Sequence, residues 1–218
     1  MAYHGRDFSR DYLKEHSEGV EDKDVYCFGI YTGWSLGQVG YDFKTNNLTP
    51  NNFWGFDSFE GLPEEKEGIV IHPDWFKGAF DSRKLTGNQH GIDFNGDFVE
   101  NIKKNFNERS GQEVDLIKGF YSDSLTDELV VEKSMKPASF VDMDVDIYIS
   151  TQQSMDWMAR NGLIENTVFY FDDWFKAKEP YTFGEALAMK EICDKYGYNY
   201  KKLWELDSGL QAVFLINY

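Results

Sequence analysis

The sequence predicts an α/β fold built on a largely parallel central sheet. Three observations carry that expectation. Short apolar runs of strand length alternate with segments of helical periodicity. Four of the first five such runs end in glycine or an acid, at the strand ends where open α/β sheets bind ligands. Hydrophobic residues make up 41% of the 218 positions and aromatic residues 17%, with only 5 Pro, so the chain can bury a core and is not disordered.

Taken in order, Val25 to Ile30 reads as the first strand, entering a glycine-containing turn, and Trp34 to Val39 opens a helix. Asn52 to Asp57 is a second strand ending in an acid. Residues 58–96 are rich in glycine and aromatics and lack a clear period, so they read as a lid-like, loop-rich insertion over the ligand crevice. Phe98, Ile102 and Phe106 fall at helical spacing within 97–107. Val114 to Lys118 is the third strand, and SDSLTDEL (122–129) reads as a helix start. Ser139 to Met143 is the fourth strand, and Thr151 to Arg160 a helix stopped by Asn161-Gly162. Thr167 to Phe171 is the fifth strand, ending in Asp172-Asp173. Phe183 to Tyr196 is an amphipathic helix closed by Gly197, and 198–204 with 211–217 form a closing strand pair.

Charge narrows the partners. Lys and Arg number 22 against 38 Asp and Glu, a net charge of −16. Such a surface repels phosphate backbones and anionic lipid, and the only basic runs are Lys103-Lys104 and Lys201-Lys202. No nucleic-acid or membrane partner is expected. The N-terminal stretch is polar and no apolar run approaches the roughly 18 residues of a membrane span, so a cytoplasmic protein is expected. The 2 cysteines, Cys27 and Cys193, sit in apolar or amphipathic runs and read as reduced core thiols.

The feature richest in chemistry is acidic. Asp142, Asp144 and Asp146 follow the fourth strand, and Asp172 and Asp173 follow the fifth. Adjacent parallel strands would bring the two groups together. Carboxylates that close must be offset by protons, a basic neighbour or a hard divalent cation. An all-oxygen set favours Mg, Ca or Mn over Zn. The alternation in VDMDVD is read as turning Asp142 away from Asp144, so the five are not placed in one site.

Several further runs carry a resemblance: VYCFGIYTGWSL (25–36), GFDSFEGLPE (55–64), WFKGAFD (75–81), IKGFYSDSL (117–125), DVDIYISTQQSM (144–155), VFYFDDW (168–174) and GEALAMKEICDKYG (184–197). Together and in this order they resemble the macrocin O-methyltransferase-like, metal-dependent branch of class I S-adenosylmethionine methyltransferases, over about residues 25–217. The resemblance implies a three-layer, Rossmann-like class I methyltransferase fold with about seven strands, forming a single domain over 1–218. It implies S-adenosylmethionine as cofactor, with Gly29, Ile30, Tyr31, Gly33 and Ser35 at its methionine end. Asp57, with Ser58 and Phe59, would face the ribose, Ser122 and Asp123 the adenine, and Asp144 would also touch the cofactor. Asp144, Asp172 and Asp173 would hold Mg or another hard divalent cation. Asp146 and Asp144 would be the catalytic acids, one of them the general base. The implied reaction is methyl transfer to a hydroxyl of a small molecule, a sugar or polyol, by a possible homodimer.

The chain departs from that pattern at Cys27, where the family has an acid, and in the 24 or so residues before the first strand, a shorter segment than usual. Two other readings stay open. One is a methyltransferase-fold binding protein that has lost its cofactor grip through Cys27. The other is a Mg-dependent haloacid-dehalogenase-like phosphatase, which FVDMDV and VFYFDD superficially fit. Against it, Asp144 and Asp172 lie only 28 residues apart, one β-α-β step. His4 and His16 read as surface residues, and His72 and His90 as solvated loop residues. Trp54 reads as core, while Trp75 and Trp174 flank the site motifs, Trp174 being the stronger candidate for stacking on a ligand.

Overall fold

The structure, a computed structural model, describes residues 3–16, 18–69, 72–175, 177 and 180–218. It opens with helix α1 (Gly5–Glu15), followed by β1 (Asp24–Phe28), α2 (Trp34–Thr45) and β2 (Phe53–Asp57). A two-stranded hairpin, β3 (Asn88–Gln89) and β4 (Ile92–Asp93), precedes α3 (Phe98–Ser110) and β5 (Asp115–Lys118). Next come α4 (Tyr121–Ser124), α5 (Asp127–Lys133), β6 (Ala138–Met143), α6 (Tyr148–Arg160) and β7 (Ile164–Phe171). Helix α7 (Gly184–Tyr196) and strands β8 (Asn199–Glu205) and β9 (Ala212–Asn217) end the chain.

Seven strands form one sheet in the order β5-β2-β1-β6-β7-β9-β8. The first five of these positions are parallel, and β9 inserts between β7 and β8, antiparallel to both. Strand β1 is buried along its whole length between β2 and β6, which is why after Asp24 its sequence runs apolar rather than alternating. Strand alternation then divides the core in two. Tyr26, Phe28, Phe56, Val141, Met143 and Phe169 face one helical layer that includes Trp157 and Met189. Val25, Cys27, Phe53, Phe140 and Tyr170 face the other, with Leu13, Phe43 and Phe106. These are the three layers expected, and the strand order reverses between β1 and β6, the place where open α/β sheets leave a crevice.

Most elements begin and end within a few residues of the sequence expectation, and their caps explain the boundaries. The Asp97 side chain accepts the Glu100 amide and Gly111 closes α3 in the left-handed region. Thr126 caps α5 through the Leu129 amide, and Gly197 ends α7 at φ 76°. Helix α6 starts three residues earlier than expected, at Tyr148, because Glu65 caps it from outside (below). The expected lid, 58–96, runs as loop apart from a 3-10 turn at Ser82–Lys84 and the β3–β4 hairpin; its residues 70 and 71 lie outside the described residues.

Helix α1 was not expected. Its buried face is Gly5, Ser9 and Leu13, an i, i+4, i+8 stripe of two small residues and one large one, and a search for apolar periodicity misses it. His4, exposed as expected, starts the helix, its backbone N–H donating to Asp7 Oδ2 at 3.0 Å. A Cβ on Gly5 would lie 2.4 Å from Cε2 of Tyr170, so only glycine lets α1 pack this closely on β7. Trp54 is core as expected, its Nε1 donating to Asp24 Oδ2 at 2.7 Å. Trp174 is corrected: it is 1% exposed and packs on Phe171, Tyr181 and Phe214, where no ligand reaches it. Both cysteines are buried and free. Among the described residues no helix is long and apolar enough to cross a membrane.

Candidate active site

A cavity of about 570 Å³ opens at the switch point, over the carboxyl ends of β2, β1, β6 and β7. That volume suits a drug-sized ligand or nucleoside cofactor. Of the residues picked out in the sequence, Gly29, Ile30, Tyr31, Ser35, Asp57, Ser58, Ser122, Asp144, Asp146 and Asp172 line it. Gly33, Phe59, Asp123 and Asp173 do not. Gly33 starts α2 at φ 79° and backs onto Ile102, Phe59 is fully buried, and Asp123 is exposed on α4.

The turn after β1 is built by Asp57. Its Oδ2 accepts the N–H of Ile30 at 2.6 Å and of Tyr31 at 2.8 Å, and its Oδ1 accepts the N–H of Phe59 at 2.6 Å. Three backbone donors on one carboxylate fix the loops after β1 and β2 relative to each other and leave it lone pairs toward the cavity. Gly29 is obligatory for a different reason. A Cβ there would lie 1.7 Å from the carbonyl oxygen of Asp144, so β1 and β6 can close on each other at this level only through glycine. Ser58 accepts the Glu60 N–H and donates to the Gly61 carbonyl, shaping the start of the 58–96 segment.

The acids gather where the strand register puts them. Met143 pairs with Phe171, so Asp144 and Asp172 leave β6 and β7 side by side. Carboxylate oxygens of Asp144, Asp172 and Asp173 lie within 4.8 Å of one another, all three half-buried. The donor set is oxygen alone, as a hard divalent cation requires. Glu185, which the sequence reading did not single out, stands behind it: fully buried, it takes the Asp173 N–H on Oε2 at 3.1 Å while its Oε1 has no partner among the described residues. Burial pushes Asp144, Asp173 and Glu185 well above the usual carboxylate range, and the neighbouring acids push the same way. Asp146, at φ 66°, is raised to about 7 by burial and by Asp172 and Asp57.

Asp142 joins the group, contrary to expectation. Residues two apart in a strand point to the same side of the pleat, so the alternation that was read as separating Asp142 from Asp144 in fact aligns them. Cys27, Asp142 and Tyr170 are register partners across β1, β6 and β7, forming a row on the α1 face of the sheet. Over that row lies Arg6 of α1. Its Nε donates to Asp142 Oδ2 at 2.8 Å, and its Nη2 to Asp142 Oδ1 at 3.1 Å and Asp144 Oδ2 at 2.8 Å. Its Nη1 is 3.7 Å from Asp172 Oδ1. Asp172 Oδ1 also accepts from the Tyr170 hydroxyl and from Gln211 Nε2 at 2.8 Å. The basic neighbour that the acids called for thus comes from the segment the sequence left unassigned. Cys27, the β1 member of this row, is 2% exposed and does not line the cavity.

A second cavity, about 330 Å³, lies on the far side of Asp146, which lines both. Its walls include Trp75, Phe175, Phe183, Tyr148 and Asp173, with Trp75 and Phe175 edge-to-face at 4.9 Å. His72 lines it too, and His90 lines the first; both are exposed, as expected of loop histidines.

A sheet reversing between β1 and β6, a glycine turn bound to an acid on β2, and an antiparallel β9 inserted beside β7 define the class I methyltransferase fold. The solved structures agree. The chain superposes on CalS11, a calicheamicin methyltransferase, with TM-score 0.65 at 17% identity, covering 98% of this chain and 80% of that one. For the O-methyltransferase NovP the values are 0.65, 15%, 98% and 79%. For an O-methyltransferase from Bacillus cereus in complex with SAH they are 0.53, 12%, 99% and 80%. At these identities the likeness is one of fold. No protein-family model matches the sequence, and no curated protein matches it.

Proposed function

We propose that the protein is an O-methyltransferase that moves a methyl group from S-adenosylmethionine to a hydroxyl of a small molecule, a sugar or polyol, with the help of Mg or a similar cation. The observation that carries the reading is the 570 Å³ cavity at the switch point, with the Asp57-bound turn on one wall and Asp144 and Asp172 on the other. The fold shared with methyltransferases, one of them a TDP-rhamnose 3'-O-methyltransferase, supports the cofactor and the sugar-like acceptor. The phosphatase reading has no such support.

In this reading the backbone of Gly29 to Tyr31 holds the methionine end of the cofactor, and the free lone pairs of Asp57 take the ribose hydroxyls. Ser122 lies toward the adenine, and Tyr121 closes the floor with its hydroxyl on the Phe56 carbonyl at 3.2 Å. S-adenosylmethionine brings an already activated sulfonium methyl, so no nucleophilic side chain is required. Asp144, Asp172 and Asp173 hold the cation, which supplies Lewis acidity toward an acceptor hydroxyl. The acceptor occupies the second cavity, its ring faces against Trp75 and Phe175, under a lid formed by 58–96. Asp146 stands between the cavities and takes the hydroxyl proton on a carboxylate oxygen. The chain otherwise supplies positioning, which suits an in-line transfer.

Calorimetric titration of S-adenosylmethionine, with Mg and again with a chelator, tests the reading. Micromolar binding, about 8 kcal/mol, is expected. No binding in either condition would instead favour the binding-protein reading, in which the fold remains and the cofactor does not.

A further inference from the structure

Helix α1 is built to deliver a cation to the acid cluster. Gly5 lets the helix lie against Tyr170, where a Cβ would come within 2.4 Å of the ring. The Ser9 hydroxyl donates to the Gly5 carbonyl at 2.8 Å, and the Gly5 N–H donates to Gln211 Oε1 at 3.3 Å. Gln211 in turn donates to Asp172, so one side chain ties the helix start to an acid of the cluster. The Arg6 guanidinium then stacks 4.6 Å from the centre of the Tyr170 ring, its side chain only 12% exposed. Among the described residues it is the only Lys or Arg lining the main cavity.

Arg6 uses the same carboxylates that a divalent cation would use. Its Nη2 occupies Asp144 Oδ2, and its Nη1 faces Asp172. A buried guanidinium and a divalent cation on adjoining oxygens repel each other with little solvent between them. We propose that Arg6 is the resident counter-cation of the cluster, and that a divalent cation binds Asp144, Asp172 and Asp173 in competition with it. Cation occupancy and docking of α1 are then antagonistic, and the coupling is reciprocal: whatever α1 costs the cation, the cation costs α1. The inference rests on the cation reading given above, and makes Arg6 the residue that sets cation affinity.

The test uses Mn²⁺ as the probe, with no acceptor or turnover. Calorimetric Mn²⁺ titration compares the wild-type protein with Arg6→Gln and Arg6→Lys. Arg6→Gln is expected to bind Mn²⁺ about tenfold more tightly, while Arg6→Lys, which keeps the charge, stays close to wild type. Hydrogen exchange on the wild-type protein gives a second arm that needs no variant: saturating Mn²⁺ should speed exchange of the α1 amides, residues 5–15. Equal or weaker binding by Arg6→Gln overturns the inference while leaving the cation reading intact. If Arg6→Gln does not fold, α1 amides that slow or hold steady on Mn²⁺ addition overturn it. No Mn²⁺ binding by any of the three overturns both.

Discussion

Asp57 holds the Ile30 backbone N–H at 2.6 Å, so the acid that the sequence assigned to a ribose is also what shapes the turn beside it. Asp57→Ala leaves the amides of Ile30, Tyr31 and Phe59 without their acceptor. Each buried donor stranded in this way costs about 1–3 kcal/mol. The variant should therefore melt at a lower temperature and also bind S-adenosylmethionine at least about tenfold more weakly, since one hydrogen bond to a charged group is worth about 1.5–3 kcal/mol. Calorimetry beside a thermal melt checks both, and a variant that loses stability alone would confine Asp57 to a structural role.

The two acid groups make a separate prediction. Asp172→Asn retains the acceptor for Gln211 and the shape of the side chain but removes the charge of one of the three carboxylates in the oxygen set. Divalent-cation affinity should fall by about one to two orders of magnitude, within the range seen when groups around a metal are altered. Mn²⁺ titration reads this directly, and unchanged affinity would remove Asp172 from the ligand set.

With the cation chelated, the cluster should show itself in the pH dependence of stability. Unfolded carboxylates lose their protons near pH 4. In the fold Asp146 keeps its proton up to about 7, and Asp144, Asp173 and Glu185 are shifted the same way. Between those limits the folded state binds more protons than the unfolded one, so stability is present at the acid end and lost as pH rises through the window. The chelated protein should melt at progressively lower temperature from about pH 4 to about pH 7. Asp146→Asn should flatten that slope. A melting temperature that climbs over the same range would show that the acids are not held protonated.

The fold was legible because its inner strands β1 and β6 are buried on both faces and announce themselves as largely apolar runs, and because Gly29, Asp57, Asp144 and Asp172 sit at strand ends, where a one-dimensional reading can place them. What stayed hidden came from packing. Helix α1 buries Gly5 and Ser9, whose smallness is the point and whose hydropathy says nothing. Arg6 reads as one more surface charge until the close approach of Gly5 to Tyr170 is known. Glu185 carried a usable signal: it lies among Ala186, Ala188, Met189 and Ile192 on the buried face of α7, where a carboxylate is out of place unless something holds it. Trp174 shows the opposite error, since adjacence in sequence to Asp173 did not bring it to the site.

The last prediction concerns how the 58–96 segment is fastened. Glu65 accepts the N–H of Tyr148 at 2.7 Å and of Ile149 at 3.0 Å, placing a carboxylate on the first turn of α6. The charge suits the positive end of the helix, and the two bonds join the segment to the element that follows Asp146. Lys66, next along, lies 5.1 Å over the Tyr148 ring, and the Tyr148 hydroxyl donates to Glu191 at 2.5 Å, so the helix side of the joint is itself tied down. Glu65→Ala removes both cap bonds and should cost about 0.5–2 kcal/mol of stability, the usual loss of a helix N-terminal cap. It should also release the segment, which covers residues lining both cavities. Limited proteolysis is the sensitive readout: cleavage within 58–96 should become several-fold faster in the variant while the β-sheet core stays resistant. Glu65→Gln, which keeps an acceptor but loses the charge, should fall between the two. Cleavage at the wild-type rate would mean that the segment is held by its buried Phe59, Ile92 and Phe94, and that the Glu65 contact follows from its placement without causing it.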